Sequence, residues 1–145
     1  MKKLKILLVL FLIFFSTEAL SQCTMTVTNI NFGAYDVLST SNLTATGTIT
    51  VNCARNENIT LSIGPSTSGS INPRQMKHVS FNDYLNYNLY QDATYTTIWG
   101  DGSQGTTPVI RRVRVRTFTV YGAIFFGQDV SAGQYFDTLT VTVIP

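Results

Sequence analysis

The sequence predicts an all-β sandwich, and three observations carry that prediction. From residue 24 onward Thr, Val, Ile, Tyr and Phe dominate, Gly, Asn, Asp and Ser fill the gaps, and no stretch keeps a helical period. Apolar and polar residues instead alternate singly over short runs, which is the period of a strand with one covered face. These runs recur at short intervals with turn residues between them, the spacing of a two-layer antiparallel fold.

At 145 residues the chain fits one domain. Its first part reads as an address rather than as fold. Lys2, Lys3 and Lys5 precede an unbroken apolar run from residue 6 to 15, and the small residues Ala19 and Ser21 stand before Gln22. Residues 1–21 are therefore expected to be a secretory signal peptide and residues 22–145 the domain. The apolar run is far short of the roughly 20 residues a membrane-spanning helix needs. Residues 1–21 hold three of the ten Lys and Arg and one of the eight Asp and Glu, so the remainder carries seven of each. A formally neutral domain gives no ground for nucleic-acid affinity. Only two cysteines are present, Cys23 and Cys53, and in an exported chain they are expected to pair. The alternatives are a lipid on Cys23 or free thiols. No CxxC or histidine cluster supports a metal.

In chain order, residues 24–30 form a first strand with Met25 and Val27 inward, broken at Gly33. Residues 43–53 alternate Leu43, Ala45, Gly47, Ile49, Val51 and Cys53 against a row of threonines, so a one-residue slip would bury that row. Ile59, Leu61 and Ile63 give a short third strand, and residues 64–73 a Gly/Ser/Pro/Asn loop. Leu85, Tyr87 and Leu89 share a face of the next strand. Residues 99–105, dense in glycine, read as a hairpin tip or exposed loop. Residues 109–115 and 118–125 supply two more strands. In the last stretch Tyr135, Leu139, Val141 and Val143 fall on one face and Thr138, Thr140 and Thr142 on the other. A single terminal strand is expected there, its apolar row covered by something other than a following strand.

No catalytic, cofactor-binding or metal-ligating set emerges. His78 stands alone among polar residues and reads as a solvated loop histidine. Asp83, Asp92, Asp101 and Asp137 lie in separate turns, where turn chemistry accounts for them. Arg112, Arg114 and Arg116 alternate with Val113 and Val115, beside Arg111, and read as a charged face that protects an edge strand or meets an anionic partner. Phe118, Tyr121, Phe125 and Phe126 read as packing residues rather than a stacking platform.

The chain also carries a series of short motifs in order. After Cys23 come Asn31-Phe-Gly-Ala-Tyr35, Thr46-Gly-Thr-Ile-Thr-Val-Asn-Cys53, Arg74-Gln-Met76, Leu85-Asn-Tyr-Asn-Leu-Tyr-Gln-Asp92, Trp99-Gly-Asp-Gly102, Val120-Tyr-Gly-Ala-Ile124, Gly127-Gln128 and Ala132-Gly-Gln-Tyr-Phe-Asp-Thr138. Together they resemble the spore coat protein U domain family, found in subunits of archaic chaperone-usher pili and in secreted coat proteins. The resemblance implies an incomplete immunoglobulin-like β-sandwich lacking its final strand. It implies a strand-acceptor groove, here assigned to Val27, Tyr135, Leu139, Val141 and Val143, and a Cys23–Cys53 bridge tying the first strand to the end of the second. The implied partners are a periplasmic pilus chaperone, an outer-membrane usher and sibling pilus subunits, with no nucleic acid, small-molecule substrate or cofactor. The implied path runs through the periplasm to the cell surface, pilus or coat. Polymerising members carry a donor segment ahead of the first cysteine. Cleavage before Gln22 would leave one residue there, so a tip, cap or coat component is expected. The alternatives are a tip adhesin that binds a surface or carbohydrate through turns such as residues 98–105, and a secreted enzyme, which no residue constellation supports.

Overall fold

A computed structural model of the chain describes residues 22–145; the expected signal peptide lies outside the described residues. Seven strands form one antiparallel sheet: β1 (Cys23–Thr28), β2 (Leu43–Ile63), β3 (Arg74–His78), β4 (Tyr84–Tyr90), β5 (Val109–Ile124), β6 (Tyr135–Phe136) and β7 (Val141–Ile144). No helix occurs among the described residues. The order across the sheet is β1-β2-β5-β4-β3-β6, with β7 also on β2. The sheet curls around one core, in which Ile49, Val51, Ile59, Leu61 and Ile63 of β2 meet Leu85, Tyr87 and Leu89 of β4 and Val113, Val120 and Ile124 of β5.

The alternation of residues 43–53 is realised as expected: Gly47, Ile49, Val51 and Cys53 are buried, and β1 lies antiparallel against Thr48–Cys53. The Cys23–Cys53 disulfide closes the end of that pairing. Two expected breaks are absent. Residues 59–63 continue β2, and residues 109–124 form one strand, because no proline or glycine stands at either expected break, residues 54–58 or 116–117. A register shift stands in place of the break. Asn52 pairs with Val115 and Glu57 with Val113, so five steps along β2 are set against two along β5. The shift inverts the inward parity of β5. Arg116 and Phe118 face the same side as Val51 and Ile49, whereas further up the strand Arg111 shares the side of Ile59. Arg112, opposite exposed Asn58, is on the other face, so the expected single row of Arg112, Arg114 and Arg116 does not form.

β3 was not legible because two of its three inward positions are not apolar. Arg74 and His78 are buried there, with Met76 half-buried between them. Arg74 donates from Nε to Gly64 O (3.0 Å) and from Nη2 to Ile63 O and Trp99 O (both 2.9 Å). Its Nη1 has no partner among the described residues. Burial lowers the Arg74 pKa, against the opposing charges of Asp137 and Asp101. Trp99, expected in an exposed tip, is 1% exposed and donates its indole N–H to Leu61 O at 3.0 Å. The large ring outweighs the turn residues that follow it.

The terminal stretch divides. β6 pairs with β3 and β7 with β2, so the chain crosses from one edge to another at Asp137. That carboxylate holds the corner by accepting from the Tyr87 hydroxyl (2.6 Å), the Thr67 amide (2.9 Å) and the Thr67 hydroxyl (2.8 Å). Burial, and then this hydrogen bond, push the Tyr87 hydroxyl well above its ordinary pKa.

Candidate functional site

An apolar groove of about 1150 Å³ runs between residues 27–37, the end of β1 and the segment after it, and residues 130–139, which enter and leave β6. Its floor includes Leu85, Tyr87 and Leu89 of β4 and Val120 and Ile124 of β5.

The first wall is built by the Asn-Phe-Gly-Ala-Tyr motif. Phe32 lays its ring over Gly122, where a Cβ would sit 2.6 Å from the ring's Cζ, so only glycine leaves room. The same ring meets Tyr87 edge-on, with centroids 6.2 Å apart. Tyr35 donates its hydroxyl to Phe125 O (2.9 Å) and accepts the Gln128 amide (3.0 Å). Gln128 in turn accepts the Asn86 amide at 2.7 Å and donates to Asn86 O at 2.9 Å, so its side chain satisfies a β4 backbone site as a neighbouring strand would.

The second wall is fixed by His78 and Asp83. His78, expected in solvent, is 5% exposed. Its Nδ1 accepts the amides of Ser80 and Phe81, both at 3.0 Å, which leaves Nε2 as the donor to Ala132 O at 3.1 Å. A Cβ on Gly133, whose φ is +145°, would lie 2.1 Å from that Nε2. Tyr135 packs edge-on against the imidazole and donates its hydroxyl to Asp83 (3.1 Å) and Ser131 O (2.8 Å). The Asp83 carboxylate also accepts the Ser131 amide at 2.7 Å, and these bonds hold its pKa below the ordinary carboxylate value.

Of the five residues assigned to the groove from sequence, Val27, Tyr135, Leu139 and Val141 line it. Val27, 49% exposed, lies at its mouth. Val143 is not part of the lining; it pairs with Leu61 and packs on the core. Sequence reasoning did not assign Ile30, Phe32, Met76 or Val130, all of which line the groove. For Phe32 the available signal was a large aromatic next to a glycine in one motif and a bare glycine in another. β6 has β3 on one side, and no strand pairs with its other edge among the described residues. The groove therefore offers an apolar bed beside an open strand edge. Among the described residues no group of His, Cys, Asp or Glu could hold a metal ion.

Comparison with known proteins identifies the family and the fold. The family model of the Spore Coat Protein U domain matches residues 10–142. Protein U of Myxococcus xanthus is 29% identical, over 79% of this chain and 70% of that protein. Among solved structures, a chain of the CsuC–CsuE chaperone-tip adhesion subunit pre-assembly complex, from archaic chaperone-usher Csu pili of Acinetobacter baumannii, is similar with a TM-score of 0.60 at 21% identity. That match covers 86% of this chain and 39% of the other. HdaB, the minor tip subunit of the E. coli Hda pilus, is similar with a TM-score of 0.50 at 12% identity, over 83% of this chain and 79% of its own. At these identities the likeness to the two pilus proteins is one of fold.

Proposed function

Because the chain belongs to the Spore Coat Protein U domain family, we propose that it is a structural subunit of an extracellular pilus or coat whose groove is filled by a strand from another polypeptide. The family is one of coat and pilus subunits and not of enzymes. The observation that carries the reading is the apolar groove beside the open edge of β6. An extended segment laid there gains main-chain hydrogen bonds from the edge and places alternate side chains on Leu85, Tyr87 and Ile124. A periplasmic chaperone supplies the first such strand and a sibling subunit its replacement, with an outer-membrane usher as the site of exchange. Residues 1–21 act as the export signal for this route, and residues 22–145 as the exported domain. Processing before Gln22 leaves one residue ahead of the Cys23–Cys53 bridge, which supports a subunit that accepts a strand without giving one, at a terminus or cap.

Co-expression with a matching chaperone and usher, in the absence of sibling subunits, tests the reading. The expected product is a one-to-one complex with the chaperone. Long homopolymers would show that the chain supplies its own donor, and soluble monomer with no chaperone attached would remove strand acceptance.

A further inference from the structure

We propose that Arg111 and Arg116 form a binding site for a carboxylate-bearing sugar, such as a uronic-acid unit of an acidic polysaccharide. The site is separate from the strand-accepting groove and does not depend on it.

The register shift between β2 and β5 is what puts the two arginines on one face of the sheet. They are five residues apart, and in an uninterrupted strand they would point to opposite faces. Because the shift inverts parity between Val113 and Val115, both lie on the inward-facing side, opposite Ile59 and Val51. Register irregularities that re-aim side chains are enriched beside functional sites. Both arginines line a notch of about 250 Å³ that also takes in Gln91, Trp99, Thr117 and Phe118. The notch opens where β4 leaves β5. Their pairing runs only from Tyr87–Ile124 to Tyr90–Tyr121, and β5 below it has no strand on that side among the described residues.

The chemistry of the notch suits an anionic ring. Neither arginine makes an ion pair among the described residues, where the one such pair is Arg55–Glu57. No acidic residue lines the notch. The Arg116 guanidinium lies 5.4 Å from the centroid of the Phe118 ring, which orients its planar fork while leaving its N–H donors available. Two guanidinium forks match a carboxylate in bidentate geometry. Phe118 offers an apolar surface for the C–H face of a sugar, and Gln91, whose Nε2 donates to Thr107 O at 2.6 Å, keeps its Oε1 to accept from a sugar hydroxyl. A nucleic acid needs a basic groove that tracks several phosphates. This notch is walled by Gln91 and Trp99 and admits one compact unit.

Calorimetric titration of the purified protein at low salt provides the test, with an oligogalacturonate, a neutral galactose oligomer of the same length and a single-stranded oligonucleotide as probes. The oligogalacturonate should bind, more weakly as salt rises, and the neutral oligomer should not. Arg111→Gln and Arg116→Gln should each weaken binding by about tenfold or more, the loss expected for a charge-assisted hydrogen bond. Arg112→Gln, on the opposite face, should change it by less than about twofold. Melting temperatures of the variants verify that they fold. Absence of oligogalacturonate binding, an equal loss on Arg112→Gln, or tighter binding of the oligonucleotide would each overturn the proposal.

Discussion

Gly122→Ala is a sharp probe of the wall that carries Phe32, because the sign of its effect is diagnostic. In a position with room for a methyl group, replacing glycine by alanine stabilises a protein by about 0.4–1 kcal/mol through the unfolded state. At Gly122 the new Cβ would lie 2.6 Å from Cζ and 2.9 Å from Cε1 of Phe32, with the Ala45 carbonyl at 3.4 Å. The ring cannot yield without giving up its edge contact to Tyr87. Overpacking of this kind costs about 1–3 kcal/mol, which lowers the melting temperature by several degrees in a domain of this size. Phe32→Ala should cost about 2 kcal/mol, less than full burial would give, because the ring is half-buried. With the ring removed, the methyl group at 122 has space, so the double variant should be more stable than additivity predicts by about 1 kcal/mol or more. Urea denaturation of the four proteins reads all three quantities. A stabilising Gly122→Ala, or strict additivity in the double variant, would refute the packing of Phe32 on this wall.

Other consequences follow from the same contacts. Replacing Cys23 and Cys53 by serine should remove about 3–4 kcal/mol, given a closed loop with a sequence separation of 30, measured as a lower urea midpoint. Tyr87→Phe deletes the hydrogen bond to Asp137 at the β6–β7 crossing and should cost about 1.5–3 kcal/mol, with faster amide exchange at Thr138 than at β2. The Asp83 carboxylate has a folded pKa below its unfolded value. Its contribution is therefore complete above the ordinary carboxylate pKa and is lost as pH falls through the folded value. Protection of the Ser131 amide, the slowing of its exchange relative to the intrinsic rate at the same pH, should fall below about pH 4, and Asp83→Asn should abolish that acid dependence. Protection that is independent of pH in the unmodified protein would show that the carboxylate does not hold this wall.

Single-residue alternation made much of the fold legible. The threonine row between residues 43 and 53 fixed both the buried face and the register of β2, and Leu85, Tyr87 and Leu89 were legible as one face of a strand, which the fold makes the floor of the groove. Three features escaped, each because a tertiary partner overrides the local pattern. Arg74 and His78 occupy inward positions of β3, and their burial is made tolerable by carbonyls and amides distant in sequence, so no apolar row appears. The terminal stretch keeps one alternation throughout, yet Asp137 turns it between two edges through Thr67 and Tyr87. The placing of Arg111 and Arg116 on one face depends on a register shift that arises only from pairing β5 with β2. For the groove, periodicity marked Tyr135, Leu139 and Val141, while Phe32 could be placed only through its fit against Gly122.

The central claim is that the groove takes a strand from another polypeptide, and thermal unfolding with and without such a strand tests it most directly. The probe is a synthetic peptide of alternating valine and threonine with terminal lysines for solubility. A peptide that binds only the folded state raises stability by mass action, about 2.7 kcal/mol at a hundred times its Kd, which corresponds to a rise in melting temperature of roughly 10 °C. Leu139→Asp places a charge without a partner in the groove and should remove that gain. The account predicts a large peptide-dependent rise in the unmodified protein and none in the variant. A melting temperature that no alternating peptide moves, in a protein that is monomeric and stable alone, would mean that the groove is not a strand acceptor.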